Sequence, residues 1–221
     1  MHVSETLGFL ALFYRRCEEK DWAALAEPDT WQAFMTHICA AQDGGQDASA
    51  LIPSCLSQPL TYESFRQFAD SHFIGGLPTS ILAVESLYRT WTALPEAQVA
   101  FSQEKGLYDS DSAAHMRYLY RNLGIELASD NTLPPDHLSL LLEFLGLLGE
   151  YAPAVDSCVF IDEHLSWLPD LQKSIQKCAP EAEWLLAITE LLMGYLDQMR
   201  AELGGETAAQ GTEAAPEEAL V

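Results

Sequence analysis

A run of leucines limits what this chain can become more than any other feature. Between Leu138 and Leu148 stand Leu140, Leu141, Leu142, Phe144, Leu145 and Leu147, with Glu143 the sole charge. A helix apolar around almost its whole circumference must be buried on several sides. The other elements therefore have to be partners for one central helix. Its approach is Leu133-Pro134-Pro135-Asp136-His137. The two prolines stop any helix arriving from upstream, and Pro135 suits the first position of a new one. Asp136 is then expected in the first turn, where open N–H groups and the helix dipole favour a carboxylate. This places the helix from Pro135 to about Glu150, with an acidic start that reaches a surface.

Partners for that helix are plentiful. Apolar residues at helical spacing occur at Leu7, Leu10, Ala11 and Tyr14, at Trp31, Phe34, Met35 and Ile38, and at Tyr62, Phe65, Phe68 and Ala69. A further helix is expected to start at Asp109 to Asp111 and run through Met116, Leu119 and Tyr120 to a C-cap at Gly124. Pro153, Pro169 and Pro180 each introduce another, the last ending near Leu203. Strand-like alternation of β-branched residues is absent. The expected fold is all-α, a single globular multi-helix bundle over residues 1–203, followed by a flexible acidic tail at 204–221. Residues 43–50 are expected to form a polar, flexible loop, with a break near Pro95.

Charge narrows the partners. Against 33 Asp and Glu the chain has 11 Lys and Arg, a formal net charge of -22. Such a surface repels phosphate backbones and anionic membranes, so no nucleic-acid partner is expected, while a cationic partner is attracted. The five cysteines are scattered without a Cys-x-x-Cys pair, which favours a reducing cytoplasm. No apolar run approaches the ~18–20 residues that span a bilayer. The apolar stretch Leu7–Phe13 follows Glu5 and precedes Arg15-Arg16, the reverse of the charge order in a secretion signal.

Catalytic patterns are missing from the sequence. It contains no phosphate-binding Gly-x-x-x-x-Gly-Lys loop, no Gly-x-Ser-x-Gly elbow and no His-Glu-x-x-His, and its six histidines are dispersed. The residues thus argue for a binding protein rather than an enzyme, with no cofactor, metal or catalytic residue assigned. A carboxylate at an exposed helix start, such as Asp136, can accept paired hydrogen bonds from an arginine. His137 stands beside it. The plainer alternative is that Asp136 only stabilises its own helix end and His137 caps a neighbouring loop.

Four segments carry a resemblance. LPPDHLSLLLEFLGLL resembles the signature of the TorD/DmsD family, cytoplasmic chaperones that mature molybdenum-containing redox enzymes. FIGGLPTSILAVESLYRTW is similar to a family segment through Gly75, Pro78, Glu85, Ser86 and Tyr88, and YLYRNLGIEL through Tyr120 and Gly124. FIDEHLSWLPDL resembles the family's Phe-x-x-x-His-Leu-x-x-Trp helix through Phe160, His164, Leu165 and Trp167. The four occur in register across residues 73–171. This copy departs from the family at Leu141, where members often carry a second glutamate, and at Leu145.

The resemblance implies a TorD-like bundle and binding of the twin-arginine signal peptide, or the cofactor-free form, of a molybdenum-cofactor oxidoreductase precursor. Cofactor insertion would be assisted and export delayed. Asp136 and His137, with Pro135 beside them, become the first candidates for the polar end of the peptide site. Tyr88, Trp91 and Tyr120 become candidates for its apolar wall, and Glu85 and Glu143 for its negative field. An Asp136→Ala change is expected to weaken binding and leave helical content and melting temperature nearly unchanged. Two other readings remain, an assembly factor that grips the mature catalytic subunit, and a nucleotide-hydrolysing enzyme. Self-association is left open.

Overall fold

In the computed structural model the protein is described over residues 1–43, 51–94, 99–128 and 131–213, with the side chains of 41–43 and 205–213 excepted. Residues 44–50, Pro95 and the last part of the acidic tail, 214–221, lie outside the described residues. Ten α-helices and no strand occur among those described. They are α1 (Val3–Leu12), α2 (Glu19–Ala26), α3 (Pro28–Asp43), α4 (Tyr62–His72), α5 (Glu85–Tyr88), α6 (Asp111–Leu123), α7 (Leu138–Tyr151), α8 (Ala154–His164), α9 (Leu168–Cys178) and α10 (Glu183–Glu213). The all-α expectation holds.

The leucine run forms α7, as its composition demands. Leu138, Leu141, Leu142 and Leu145 have no exposed surface. One side lies along α1, another along α8, and α10 covers α8, α3 and α9. The α1–α7 contact is close because of one glycine. A Cβ placed on Gly146 would stand 3.2 Å from Ser4 Cα, so a larger residue there must push the two helices apart. Several polar side chains inside the bundle are paired. Ser139 Oγ donates to Ala11 O at 2.8 Å, and Tyr14 and Thr189 share a 3.0 Å hydrogen bond between α10 and the end of α1. The buried indoles of Trp22 and Trp31 donate to Leu60 O and Leu56 O, each at 2.9 Å.

Helix ends follow local chemistry. Gly124 closes α6 in the left-handed region at φ 65°, as its sequence position implies, and Ser110 caps the start through its hydroxyl. Two expected boundaries are corrected. The backbone of α10 is helical to Glu213, beyond the expected stop near Leu203. More consequentially, α7 starts at Leu138 and not at Pro135, with His137 as its N-cap. Pro134, Pro135 and Asp136 instead form a turn, closed by His137 N–H to Pro134 O at 3.0 Å.

Candidate functional site

That turn is tied to the segment before α5 by a short antiparallel bridge. Glu85 N–H donates to Asp136 O at 3.1 Å and Leu138 N–H to Ala83 O at 2.7 Å, which pairs Val84 with His137. Once the two segments are joined, the Asp136 side chain points inward. It is fully buried, and its Oδ2 accepts from Ser86 N–H at 2.8 Å and from the Ser86 hydroxyl. Ser110 Oγ lies 2.8 Å from Ser86 Oγ, so the carboxylate also organises the start of α6. Asp136 is therefore neither in the first turn of α7 nor at a surface, contrary to expectation. Its second oxygen, Oδ1, is buried with no hydrogen-bond partner among the described residues.

His137 caps α7 by accepting from Ser139 N–H at Nδ1, at 3.2 Å. Burial, with nearby Arg15 adding to it, lowers its pKa to about 3. The ring is neutral at pH 7 and serves as an acceptor. Tyr120 is also an internal strut rather than a wall of a groove. Its hydroxyl donates to Pro135 O at 2.9 Å, its ring meets Phe144 edge-on, and burial raises its pKa.

The remaining expected residues are spread over different parts of the fold. Glu143 is partly exposed and pairs with Arg15 at 2.9 Å. Tyr88 stacks on Trp167 with ring centroids 4.9 Å apart. Trp91 meets Phe101 edge-on at 4.9 Å. Glu85 has no exposed surface and holds two partners, His164 Nδ1 at 2.8 Å from Oε2 and Arg89 Nε at 2.8 Å from Oε1. The Arg89 contact is an ion pair without hydrogen-bond alignment. In this conformation Asp136 and Glu85 contact no solvent, so each supports the site from beneath.

An open groove of ≈ 850 Å³ lies directly above the bridge. Leu133, Pro134 and His137 form one wall, and Ile81, Leu82 and Val84 continue it. Arg15, Arg16 and Lys20 stand opposite with Glu18 and Asp21, so the rim carries three cations and two acids. Each cation has a partner: Arg15 with Glu143, Arg16 with Asp70 at 3.1 Å, and Lys20 with Glu18 at 2.7 Å. Tyr108, half exposed, borders this groove and also a second, shallower one shared with Trp91, Phe101 and Leu107. The sequence reading missed Tyr108. It belongs to no helical pattern, and only the fold sets it beside the signature.

Dispersal in sequence also hid a side-chain cluster. His164 of α8 and His115 of α6 approach to 2.9 Å, Nε2 to Nδ1, with the Glu163 carboxylate close by. Burial and the neighbouring His164 lower the pKa of His115.

Comparison with known proteins adds a lineage to this geometry. Residues 66–178 match the family profile described as nitrate reductase delta subunit. The chain is also similar to the chaperone protein TorD of Histophilus somni (strain 129Pt), at 34% identity over 110 residues. The shared region is 48% of this chain and 54% of that relative, so the chain spans about half the length of the curated protein it matches. The family match includes α5 to α7, and with them the bridge and one wall of the groove above it.

Proposed function

The chain belongs to the nitrate reductase delta subunit family, and from that premise we propose that it is a maturation chaperone for a redox enzyme. Its client is the precursor of a molybdenum-cofactor oxidoreductase, and the segment it holds is the twin-arginine signal peptide. The groove over the Val84–His137 bridge is the observation that carries this reading. Its volume and apolar wall suit an extended segment, and the aromatic strip beyond Tyr108 suits the apolar stretch that follows an arginine pair in such leaders. A net charge of -22 draws a cationic leader toward the protein at long range. Asp136 acts here as a positioning residue, setting the wall of the groove through Ser86 and the bridge.

One observation favours a second reading. Arg15, Arg16 and Lys20 on the groove rim are poor neighbours for two arginines, and better ones for a segment of the mature catalytic subunit that lacks them. Fluorescence anisotropy with labelled peptides separates the two. The signal peptide should bind the full chain, and Tyr108→Ala should weaken it by about tenfold, the loss of roughly 1.4 kcal/mol of aromatic contact. Binding confined to peptides from the mature region would replace the first reading by the second. Turnover is not required by either.

A further inference from the structure

We propose that His115, Glu163 and His164 form a site for one divalent transition-metal ion of the zinc type, with Glu85 holding His164 in its ligand form. The three side chains come from α6 and from the last turn of α8, and their potential ligand atoms all lie within 4.8 Å of one another. Imidazole and carboxylate are the donors that zinc takes, and three protein ligands leave a fourth position open to water or to another molecule.

The stronger observation is the orientation of His164. The residue is 2% exposed, and its Nδ1 donates to the fully buried Glu85 at 2.8 Å. A carboxylate on one ring nitrogen fixes the tautomer and leaves the lone pair of the other for a metal; nearly every ligating histidine has such a partner, a carboxylate, a backbone carbonyl or a water. Here the freed nitrogen, Nε2, faces His115 and Glu163 and not the core. Phe160, with its ring centroid 4.8 Å away, holds the His164 ring from one side.

The geometry needs a small adjustment and permits it. His115 Nδ1 and His164 Nε2 are 2.9 Å apart, a hydrogen bond. Two nitrogens on a tetrahedral zinc, each about 2.0–2.1 Å from the ion, are about 3.3 Å apart. His115 and Glu163 are exposed, so both can move by the required few tenths of an ångström or more while His164 stays fixed. Binding would join α6 to α8 at the place where Arg89, through Glu163 O and Ser166 Oγ, already joins α5 to α8.

Cobalt titration of the chelator-treated full chain tests the site. Excess Mg²⁺ and salt suppress diffuse binding to the acidic surface. The expected result is one Co²⁺ per chain with visible absorption bands of low-coordinate cobalt, displaced by one equivalent of Zn²⁺. His115→Ala, an exposed change whose folding is checked by circular dichroism, should lose at least about tenfold in affinity. Glu163→Gln should weaken binding as well, whereas His2→Ala and His72→Ala should retain it. Glu85→Gln should cost about 10–100-fold through the second coordination shell. A cobalt signal that persists in His115→Ala, or no saturable signal in the unaltered chain, overturns the assignment.

Discussion

At the scale of single residues, Asp136 shows how a motif can point to the right place and the wrong role. Its chemistry in the sequence was that of an acid at a helix start. The structure uses the same acid to hold Ser86, 50 residues upstream, and no pattern local to residues 133–138 contains that partner. Removing the side chain strands a buried Ser86 N–H, so Asp136→Ala should cost about 1–3 kcal/mol and lower the melting midpoint by several degrees. Unchanged melting in a calorimeter would show that Ser86 finds another acceptor. His137 gives a pH signature. Its folded-state pKa of about 3 lies below the ordinary histidine value. Between those values the unfolded chain binds a proton that the folded chain refuses, so this residue lowers stability as pH falls from about 6.5 toward 3. The slope is at most about 1.4 kcal/mol per pH unit. Asn at this position keeps a capping acceptor and cannot titrate. Denaturant unfolding of His137→Asn between pH 4 and pH 7 (roughly the window set by those pKa values) should show a shallower loss by one proton, and an unaltered slope would place the titration elsewhere.

Among the elements, legibility followed the strength of the local signal. The leucine run, the glycine cap at Gly124, Pro153 before α8, Pro169 in the first turn of α9 and Pro180 shortly before α10 are local, and the helices stand close to where those residues put them. The start of α7 is not local. Pro135 could open a helix, but the bridge to Ala83–Glu85 takes the backbone of Asp136 and Leu138 first. The short α5 lies in the same category, since four residues are too few for periodicity to register. Tyr120 departs from its expected place for a related reason, that an aromatic in a motif can serve the interior. Tyr120 does so through Pro135, and Tyr108, outside every motif, has the groove. The α1–α7 crossing offers a direct check on the bundle. Gly146→Leu would place a side chain where Ser4 now stands at 3.2 Å from even a bare Cβ. Overpacking of this kind costs about 1–3 kcal/mol. The melting midpoint should drop while helical content by circular dichroism stays close to the parent value. An unshifted midpoint would mean that α1 slides away without loss.

Over the whole molecule, charge and groove pull in different directions, and salt separates them. The net charge of -22 acts over the range set by the ionic strength, whereas the groove rim presents Arg15, Arg16 and Lys20 at short range. Raising the salt from about 0.01 M to about 0.15 M shortens the screening length from about 30 Å to about 8 Å. Self-repulsion among the carboxylates is then relieved, so the free protein should melt at a higher temperature. Attraction of a cationic leader is weakened over the same range, and it acts chiefly on the rate of encounter. If the leader lies in the groove as proposed, dissociation should depend on the apolar contacts along Leu82, Leu133 and Tyr108, which salt of this strength leaves nearly intact. Stopped-flow measurements with the signal peptide should therefore show association slowing severalfold as salt rises, with dissociation almost constant. A dissociation rate that climbs in step with salt would mean that ion pairs hold the bound leader. In that case the arginine pair must lie on the acidic outer surface, with the groove left for another segment of the client.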